Sequence, residues 1–180
     1  MKSGISIIHI LKKKLINNLV NALDLTPHRR SFQEARRWLL ELSGWRIAPP
    51  FYICNNLYFL DGRNIVFGSN CGLGSFCQIY DWHEIHIGDG FLASNNLTMV
   101  SASHDTATFE PLPGPIRIGS DVWVGLNVTI VGPVTIGDGC VIGAGSVVLK
   151  DIPAHTVAAG VPARAIRNRS AAQAARPTYR

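Results

Sequence analysis

Residues 118–153 read IGSDVW VGLNVT IVGPVT IGDGCV IGAGSV VLKDIP when the chain is divided every six residues. Each unit opens with Ile or Val, and its fifth position holds Val, Cys, Ser or Ile. An amphipathic helix repeats about every 3.6 residues and a half-buried strand about every two, so neither explains a period of six. The pattern predicts a coil of stacked short strands in which the first residue of each unit points inward.

The same count continues towards the N-terminus as far as Ile47, with extra residues at three places. Units grouped in threes begin at residues 47, 67, 87, 118 and 136. The third unit of a triplet holds every insertion: two residues in FLDGRNIV, two in IYDWHEIH, and thirteen, residues 105–117, after MVSASH. If three units make one turn, all insertions leave from the same corner. We therefore predict an all-β fold, a triangular parallel β-helix of about five coils over residues 47–163.

The cysteines follow the repeat and show no metal or disulfide spacing. Cys71, Cys77 and Cys140 all take the fifth, inward position of their units, which predicts small core residues. No CxxC pair is present, so neither a zinc knuckle nor a disulfide framework is expected. The fourth position holds Asn, Asp or Gly in most units, and these residue types tolerate the positive φ of a tight corner.

Residues 1–46 are predicted to form a helical capping segment. A helix over residues 31–43, with Ser31 and Glu34 as a capping box, would close the open end of the coil. A second helix over residues 4–25 has Ile8, Leu11, Leu15, Leu19 and Leu23 near one face and three lysines at its middle. That face either packs on the coil or on a neighbour, or it lies on a membrane surface.

Charge is divided unevenly along the 180 residues. Residues 1–44 and the basic tail 164–180 each carry +5, whereas residues 45–163 carry −5. Basic ends suit phosphate groups or an anionic membrane surface. Nucleic acid is not expected as a partner, because no reading motif or aromatic platform accompanies the charge. No segment reaches the roughly 20 apolar residues of a membrane span. We expect a cytoplasmic location, either free or at the inner face of the membrane.

Two stretches carry a family resemblance. Residues 115–167, PIRIGSDVWVGLNVTIVGPVTIGDGCVIGAGSVVLKDIPAHTVAAGVPARAIR, and residues 85–104, IHIGDGFLASNNLTMVSASH, resemble the hexapeptide-repeat acyltransferases. The sugar O-acetyltransferase branch, with its galactoside, maltose, nodulation-factor and exopolysaccharide enzymes, is the most similar. The resemblance implies a left-handed β-helix, a homotrimer, acetyl-CoA as co-substrate and no required metal. The implied activity is acetyl transfer to a hydroxyl of a sugar, such as a cell-surface polysaccharide or lipopolysaccharide precursor.

The same resemblance implies roles for individual residues. His104, which ends its coil before the long insertion, matches the catalytic base of the family, and histidine has a suitable unperturbed pKa. Coenzyme A would lie between subunits along the last coils, and positively charged side chains there suit its phosphates. The matching cofactor-binding positions in this sequence are Trp123, Ala144, Lys150, Arg164 and Arg167.

Further candidates follow from the spacing around His104. Glu84 lies twenty residues earlier, about one turn below, and could orient the imidazole. Asp81, Trp82 and Asp105 are candidates for contacting the acceptor. The galactoside enzymes have Asn in place of Gly74 and two adjacent aspartates in place of Asp81 and Trp82. These departures count against galactoside or maltose as the acceptor.

Three other functions fit parts of the sequence. Serine O-acetyltransferase shares the C-terminal motif, but its long N-terminal helical domain and second catalytic histidine have no counterpart here. A γ-type carbonic anhydrase uses the same coil to hold zinc, and His83, His86 and His104 would supply three imidazoles, although its H-x4-H spacing is absent. A non-catalytic hexapeptide scaffold would have no use for His104 beside a loop.

Overall fold

The computed structural model describes residues 7–23 and 30–169, in which two helices precede a coil of short strands. The helices are α1 (Ile7–Ala22) and α2 (Arg30–Ser43). Three sheets run the length of the coil, and one hairpin leaves it. Sheet A contains β1 (Arg46–Ile47), β4 (Ile65–Phe67), β7 (Ile85–Ile87), β12 (Ile116–Ile118) and β15 (Val134–Ile136). Sheet B contains β2 (Phe51–Ile53), β5 (Cys71–Leu73), β8 (Leu92–Ala93), β13 (Trp123–Val124), β16 (Val141–Ile142), β18 (Thr156–Gly160) and β19 (Ala163–Asn168). Sheet C contains β3 (Tyr58–Phe59), β6 (Gln78–Tyr80), β9 (Thr98–Val100), β14 (Thr129–Val131) and β17 (Val147–Val148), and the hairpin is β10 (Ala102–His104) with β11 (Pro111–Pro113).

Consecutive turns stack in parallel and in register, as the hexapeptide count predicts. In sheet A, Ile65 pairs with Ile85, Ile85 with Ile116, and Ile116 with Val134, and all four side chains are buried. A parallel bridge between Ile136 and Ile152 continues the stack beyond the fifth strand. The parallel β-helix of about five turns is therefore confirmed. Each fully buried aliphatic side chain stabilises the stack by about 1.5 to 3 kcal/mol.

The corners confirm the prediction for the fourth position. Asn56, Asn70, Asn96, Asp121 and Asn127 all have φ between 55° and 61°, the left-handed region that these side chains tolerate. Successive corners also contact each other, since the Asn96 amide donates a 2.9 Å hydrogen bond to Oδ1 of Asn127.

The three insertions leave from one corner, between sheets C and A, as predicted. The first two are short loops after β3 and β6, and the third contains the hairpin after β9. The predicted loop began at residue 105, but the chain leaves the coil earlier, because the hairpin strand β10 already begins at Ala102. Residues 116 and 117, which were assigned to the loop, belong to β12 on the coil.

Helix α2 closes the N-terminal end of the coil. The buried Arg36 donates hydrogen bonds of 2.8 and 2.6 Å to the carbonyls of Ile53 and Cys54, and the amide of Gln33 pairs with the backbone of Ile53 in both directions. These side chains satisfy backbone groups at the exposed edge of the first coil, as a repeat array requires at its ends. The helix begins at Arg30, so Ser31 lies in its first turn and does not precede it as a cap.

Helix α1 packs beside α2 through one narrow face. Ile16 and Val20 are buried, and the amide of Asn21 exchanges two 3.0 Å hydrogen bonds with the backbone of Leu57. The predicted helix covered residues 4–25, and residues 4–6, 24 and 25 lie outside the described part, as does the side chain of Ile8. Neither described helix is long and apolar enough to cross a membrane.

Candidate active site

The hairpin carries His104 away from the coil at the end of β10. His104 pairs with Pro111 across the antiparallel ladder, and its side chain is exposed. The root of the hairpin is bound to the loop one turn below through the buried hydroxyl of Ser101. This hydroxyl accepts a 2.8 Å hydrogen bond from the backbone amide of His83 and donates a 2.8 Å hydrogen bond to the backbone carbonyl of His83. The base candidate thus stands on a short rigid arm outside the prism of the coil.

The imidazole of His104 is held in one tautomer by the hairpin itself. Its Nδ1 lies 2.9 Å from the backbone carbonyl oxygen of Phe109. Because a carbonyl can only accept, Nδ1 donates and carries the proton in the neutral ring. The lone pair is therefore on Nε2, and the neutral ring can accept a proton there.

Asp105 shapes the loop that presents this carbonyl. Its Oδ1 accepts hydrogen bonds from the amides of Ala107 and Thr108 at 2.9 and 2.8 Å, and its own carbonyl accepts from the amide of Phe109 at 2.9 Å. Phe109 is thereby held at φ 58°, an uncommon conformation for an aromatic residue. The hydrogen bonds from Thr108 and Ala107 lower the pKa of Asp105. The carboxylate predicted to contact the acceptor uses Oδ1 to organise the turn.

Glu84 pairs with other side chains in this structure and not with the imidazole. Its carboxylate lies 3.8 Å from Nε2 of His86 and 3.9 Å from Nη2 of Arg117, on the side of sheet A, and no hydrogen bond in the described part of the chain joins it to His104. The twenty-residue spacing fails here because β10 has already left the coil. Sequence reasoning missed Phe109, since a backbone carbonyl has no residue-type signal.

Asp81 is buried and structural, contrary to its predicted role at the acceptor. Its two oxygens accept 2.7 Å hydrogen bonds from the amides of Asp61 and Gly62, which ties the second corner loop to the first. Burial raises the pKa of Asp81, against the lowering effect of these hydrogen bonds. The adjacent Trp82 is 60% exposed and remains free to face a ligand at this corner.

Sheet B gathers part of the predicted coenzyme positions on one outward row. Trp123 pairs with Val141, Val141 with Val157, and Val157 with Arg167, so this row joins Trp123 to Arg167 over three strand spacings, about 14 Å. Arg164 lies on the same edge strand, β19, and both arginines are exposed. An exposed indole and two guanidinium groups on one surface suit a ring and phosphates of a nucleotide.

The remaining coenzyme positions lie at two different corners of one coil. Ala144 follows β16 at the corner between sheets B and C, whereas Lys150 follows β17 at the corner between sheets C and A. Both are exposed. Lys150 therefore shares its corner with the hairpin of His104, and the other positions lie on or beside sheet B. One chain thus places the predicted coenzyme positions on two separate surfaces.

The cysteines are core residues, as predicted. Cys71, Cys77 and Cys140 are buried, and burial raises the pKa of Cys77 to about 11 and also raises that of Cys140. The thiols of Cys77 and Cys140 therefore stay protonated near neutral pH and are poor nucleophiles. Within the described residues, no three His, Cys, Asp or Glu side chains lie close enough together to hold a metal ion. His83, His86 and His104 therefore do not form a three-histidine metal site in this chain.

Sheet C has a surface feature for which the sequence analysis gave no role. A shallow groove of about 300 Å³ is formed by aromatic and amide side chains without a charged group: Asn56, Tyr58, Phe76, Gln78 and Tyr80. The rings of Tyr58 and Tyr80 lie 5.4 Å apart, and the Tyr80 hydroxyl donates a 2.9 Å hydrogen bond to Oε1 of Gln78. Tyr80 pairs with Val100, the last residue of β9 before the hairpin, so the groove lies just below the hairpin root.

Comparison with known proteins agrees with this architecture. Residues 115–150 match the family model described as bacterial transferase hexapeptide (six repeats). The chain is 44% identical over 126 residues to galactoside O-acetyltransferase of Escherichia coli K12, a match that covers 67% of this chain and 59% of that protein. The chain thus spans less than two thirds of that relative.

Solved structures extend the likeness to nearly the whole chain. A maltose O-acetyltransferase from Clostridium difficile 630 superposes with a TM-score of 0.75 at 31% identity, covering 92% of this chain and 90% of that one. A galactoside acetyltransferase in complex with coenzyme A superposes with a TM-score of 0.78 at 32% identity, covering 93% and 86%. The repeat, the coil and these relatives together show that the chain belongs to the hexapeptide-repeat acyltransferases, in the sugar O-acetyltransferase branch.

Proposed function

We propose that this chain transfers the acetyl group of acetyl-CoA to a hydroxyl of a saccharide, with His104 as the general base. The observation that carries the proposal is the 2.9 Å contact between Nδ1 of His104 and the carbonyl of Phe109, which leaves Nε2 as the proton acceptor. The family membership supports the donor and the reaction class, since the matched relatives are named for galactoside and maltose O-acetylation.

The proposed chemistry is direct transfer. Nε2 of His104 accepts the proton of the acceptor hydroxyl, and the oxygen attacks the thioester carbonyl carbon. The new C–O bond forms as the C–S bond breaks, and the imidazolium returns its proton to the departing thiolate. The buried, protonated cysteines support a route without a covalent acyl-enzyme.

We propose that the complete site forms between subunits of a homotrimer. The outward faces of sheets B and C carry half-buried aliphatic residues, such as Val141 and Val157 in sheet B and Val131 in sheet C, whereas His86 and Arg117 lie on the outer face of sheet A. Apolar outer faces are suited to chain–chain contact. Sheet B of one chain would then meet the corner of another that carries His104 and Lys150, bringing the two half-sites together.

The acceptor is proposed to be a saccharide of a cell-surface polysaccharide or lipopolysaccharide precursor. Two surfaces near the hairpin root support a sugar: the exposed indole of Trp82 and the uncharged groove of sheet C. Aromatic faces pack against the apolar faces of sugar rings, while amide groups hydrogen-bond to hydroxyls. Acetyl-CoA is made inside cells, so the reaction would take place in the cytoplasm.

The test is release of coenzyme A thiol from acetyl-CoA with a panel of free sugars, surface-polysaccharide precursors and serine. We expect turnover with a saccharide, and His104→Ala should lower it about a hundredfold or more because a positioned base supplies about that factor. His86→Ala, at an exposed histidine on sheet A, is the matched control and should retain activity. Turnover with serine alone would favour serine acetylation, and near-normal turnover by His104→Ala would refute the base assignment.

A further inference from the structure

The N-terminal helix α1 is fixed to the coil by polar contacts as well as by its buried face. Besides the Asn21 pair with Leu57, the ammonium of Lys13 lies 2.9 Å from a carboxylate oxygen of Asp61 and donates a 3.3 Å hydrogen bond to the carbonyl of Leu60. Arg63 and Lys13 lower the pKa of Asp61, so the carboxylate is charged near neutral pH. The rotation of α1 about its own axis is therefore set by the coil.

This rotation turns the leucine stripe of α1 away from the protein. Leu11, Leu15 and Leu19 are 61%, 59% and 42% exposed. At 100° per residue they span roughly 80° of the helix surface, and the centre of the buried pair Ile16 and Val20 lies roughly 120° further round the helix. The coil contacts a different face of α1, so the leucine stripe does not pack on the coil.

Lysines border the stripe on both sides. Lys12 and Lys14 are exposed, and on the helical wheel they flank the arc that holds the three leucines. The third lysine, Lys13, points to Asp61. The helix IIHILKKKLINNLVNA contains no acidic residue. An apolar stripe between two lysine rows is the surface that lies in the headgroup region of an anionic bilayer.

The adjoining helix α2 exposes apolar side chains of its own. α1 and α2 contact each other, and α2 leaves Trp38 57% and Leu42 44% exposed while burying Arg36 and Leu40 against the coil. Trp38 and Leu42 are one helical turn apart, on the side away from the buried residues. Tryptophan is enriched at the boundary between lipid and water because its indole has an apolar body and one polar N–H.

We propose that the two-helix layer, defined by Leu11, Leu15 and Leu19 of α1 with Trp38 and Leu42 of α2, docks on an anionic lipid surface. Lys12 and Lys14 favour this occupant over a second copy of the chain. Two stripes packed against each other would bring these lysines together, and α1 offers no carboxylate to pair with them. The proposal does not depend on acetyl transfer, since it rests on a different end of the molecule.

Co-sedimentation of the full-length protein with vesicles tests this docking. Vesicles of phosphatidylcholine with phosphatidylglycerol should sediment with the protein bound. Vesicles of phosphatidylcholine alone should bind the protein at least about tenfold more weakly. Added salt should weaken the binding to the anionic vesicles because the lysine contribution is screened.

Two double variants separate the apolar and the charged contributions. Leu11→Ser with Leu15→Ser, and Lys12→Gln with Lys14→Gln, should each reduce binding to anionic vesicles about tenfold, with unchanged circular dichroism. Leu149→Ser is the matched control, because Leu149 is 50% exposed on the coil. Failure of the wild-type protein to bind anionic vesicles overturns the proposal. A leucine variant that changes the oligomeric mass and not the vesicle binding overturns it in favour of a chain–chain contact. Neither result bears on thiol release with a soluble acceptor, which is measured separately.

Discussion

His104 and Asp105 are neighbours with different tasks in the hairpin. Within the part of the chain that the structure describes, the imidazole makes one hydrogen bond, from Nδ1 to the Phe109 carbonyl, and Asp105 holds the turn that places this carbonyl. We therefore predict that Asp105 is a positioning residue, which acts through the tautomer and orientation of His104. In many sites a carboxylate bonds directly to the histidine, whereas Asp105 would act through the backbone of the turn.

Asp105→Ala should lower kcat about tenfold with little change in the KM for acceptor, because the turn loosens and Nε2 is less often aimed correctly. Asp105→Asn should stay near wild type, since an asparagine oxygen accepts the same turn hydrogen bonds. Steady-state kinetics of both variants over varied acceptor concentration, with pH profiles, make the comparison. Equal losses in the two variants, seen mainly in KM, would instead show that the charge of Asp105 contacts the acceptor.

At the scale of elements, the hairpin depends on a close approach of two backbone segments at its root. A Cβ placed on Gly132 would lie 1.8 Å from the carbonyl oxygen of Gly114, and one on Gly114 would lie 2.8 Å from the backbone of Gly132. Gly114 ends the hairpin and Gly132 lies on the next turn, so only glycine lets the returning strand pass over the coil.

Gly132→Ala should destabilise the protein by about 2 kcal/mol or more and lower kcat as well, because the displaced root carries the hairpin of His104 with it. Gly72→Ala is the control, since its new Cβ would be too close only to the flexible end of Leu92, at 2.9 Å. Thermal unfolding and thiol release measure the two effects. If Gly132→Ala keeps wild-type stability and turnover, the root does not set the position of the hairpin.

At the scale of the whole molecule, a single chain separates the proposed base from most of the proposed coenzyme contacts. His104 and Lys150 belong to the corner between sheets C and A, whereas Arg164 and Arg167 belong to the edge of sheet B. In the proposed trimer, a closed ring of three chains would bring these surfaces together at each of its three interfaces.

Two inactive variants should therefore restore activity in each other. His104→Ala alone and Arg164→Glu with Arg167→Glu alone should both have low turnover, while purified mixed trimers from co-expression should regain roughly a third of wild-type activity, because one of their three interfaces combines two intact halves. Thiol release by the purified mixed trimers is the readout, and light scattering should give about three times the 19.6 kDa chain mass. No recovery in a confirmed mixed trimer would place both halves in one chain.

The period of six determined the coil and the positions that are buried in it. It also determined the corner from which the insertions leave, and it singled out His104 as the last residue before the longest insertion. The sequence predicts this fold because each turn repeats the environment of the turn before it, and inward and outward positions therefore recur at fixed spacing. The buried cysteines and the left-handed corners at Asn56 and Asn127 follow from the same rule.

Only the tertiary structure decided the features that depend on residues off the repeat. The Phe109 carbonyl at His104, the burial of Asp81 under another corner loop and the outward rotation of the α1 leucines all arise from contacts that no periodic pattern encodes. Where the chain leaves the coil, spacing along the sequence no longer gives position in space, and Glu84 pairs with His86 and Arg117 and not with the histidine that it was predicted to orient.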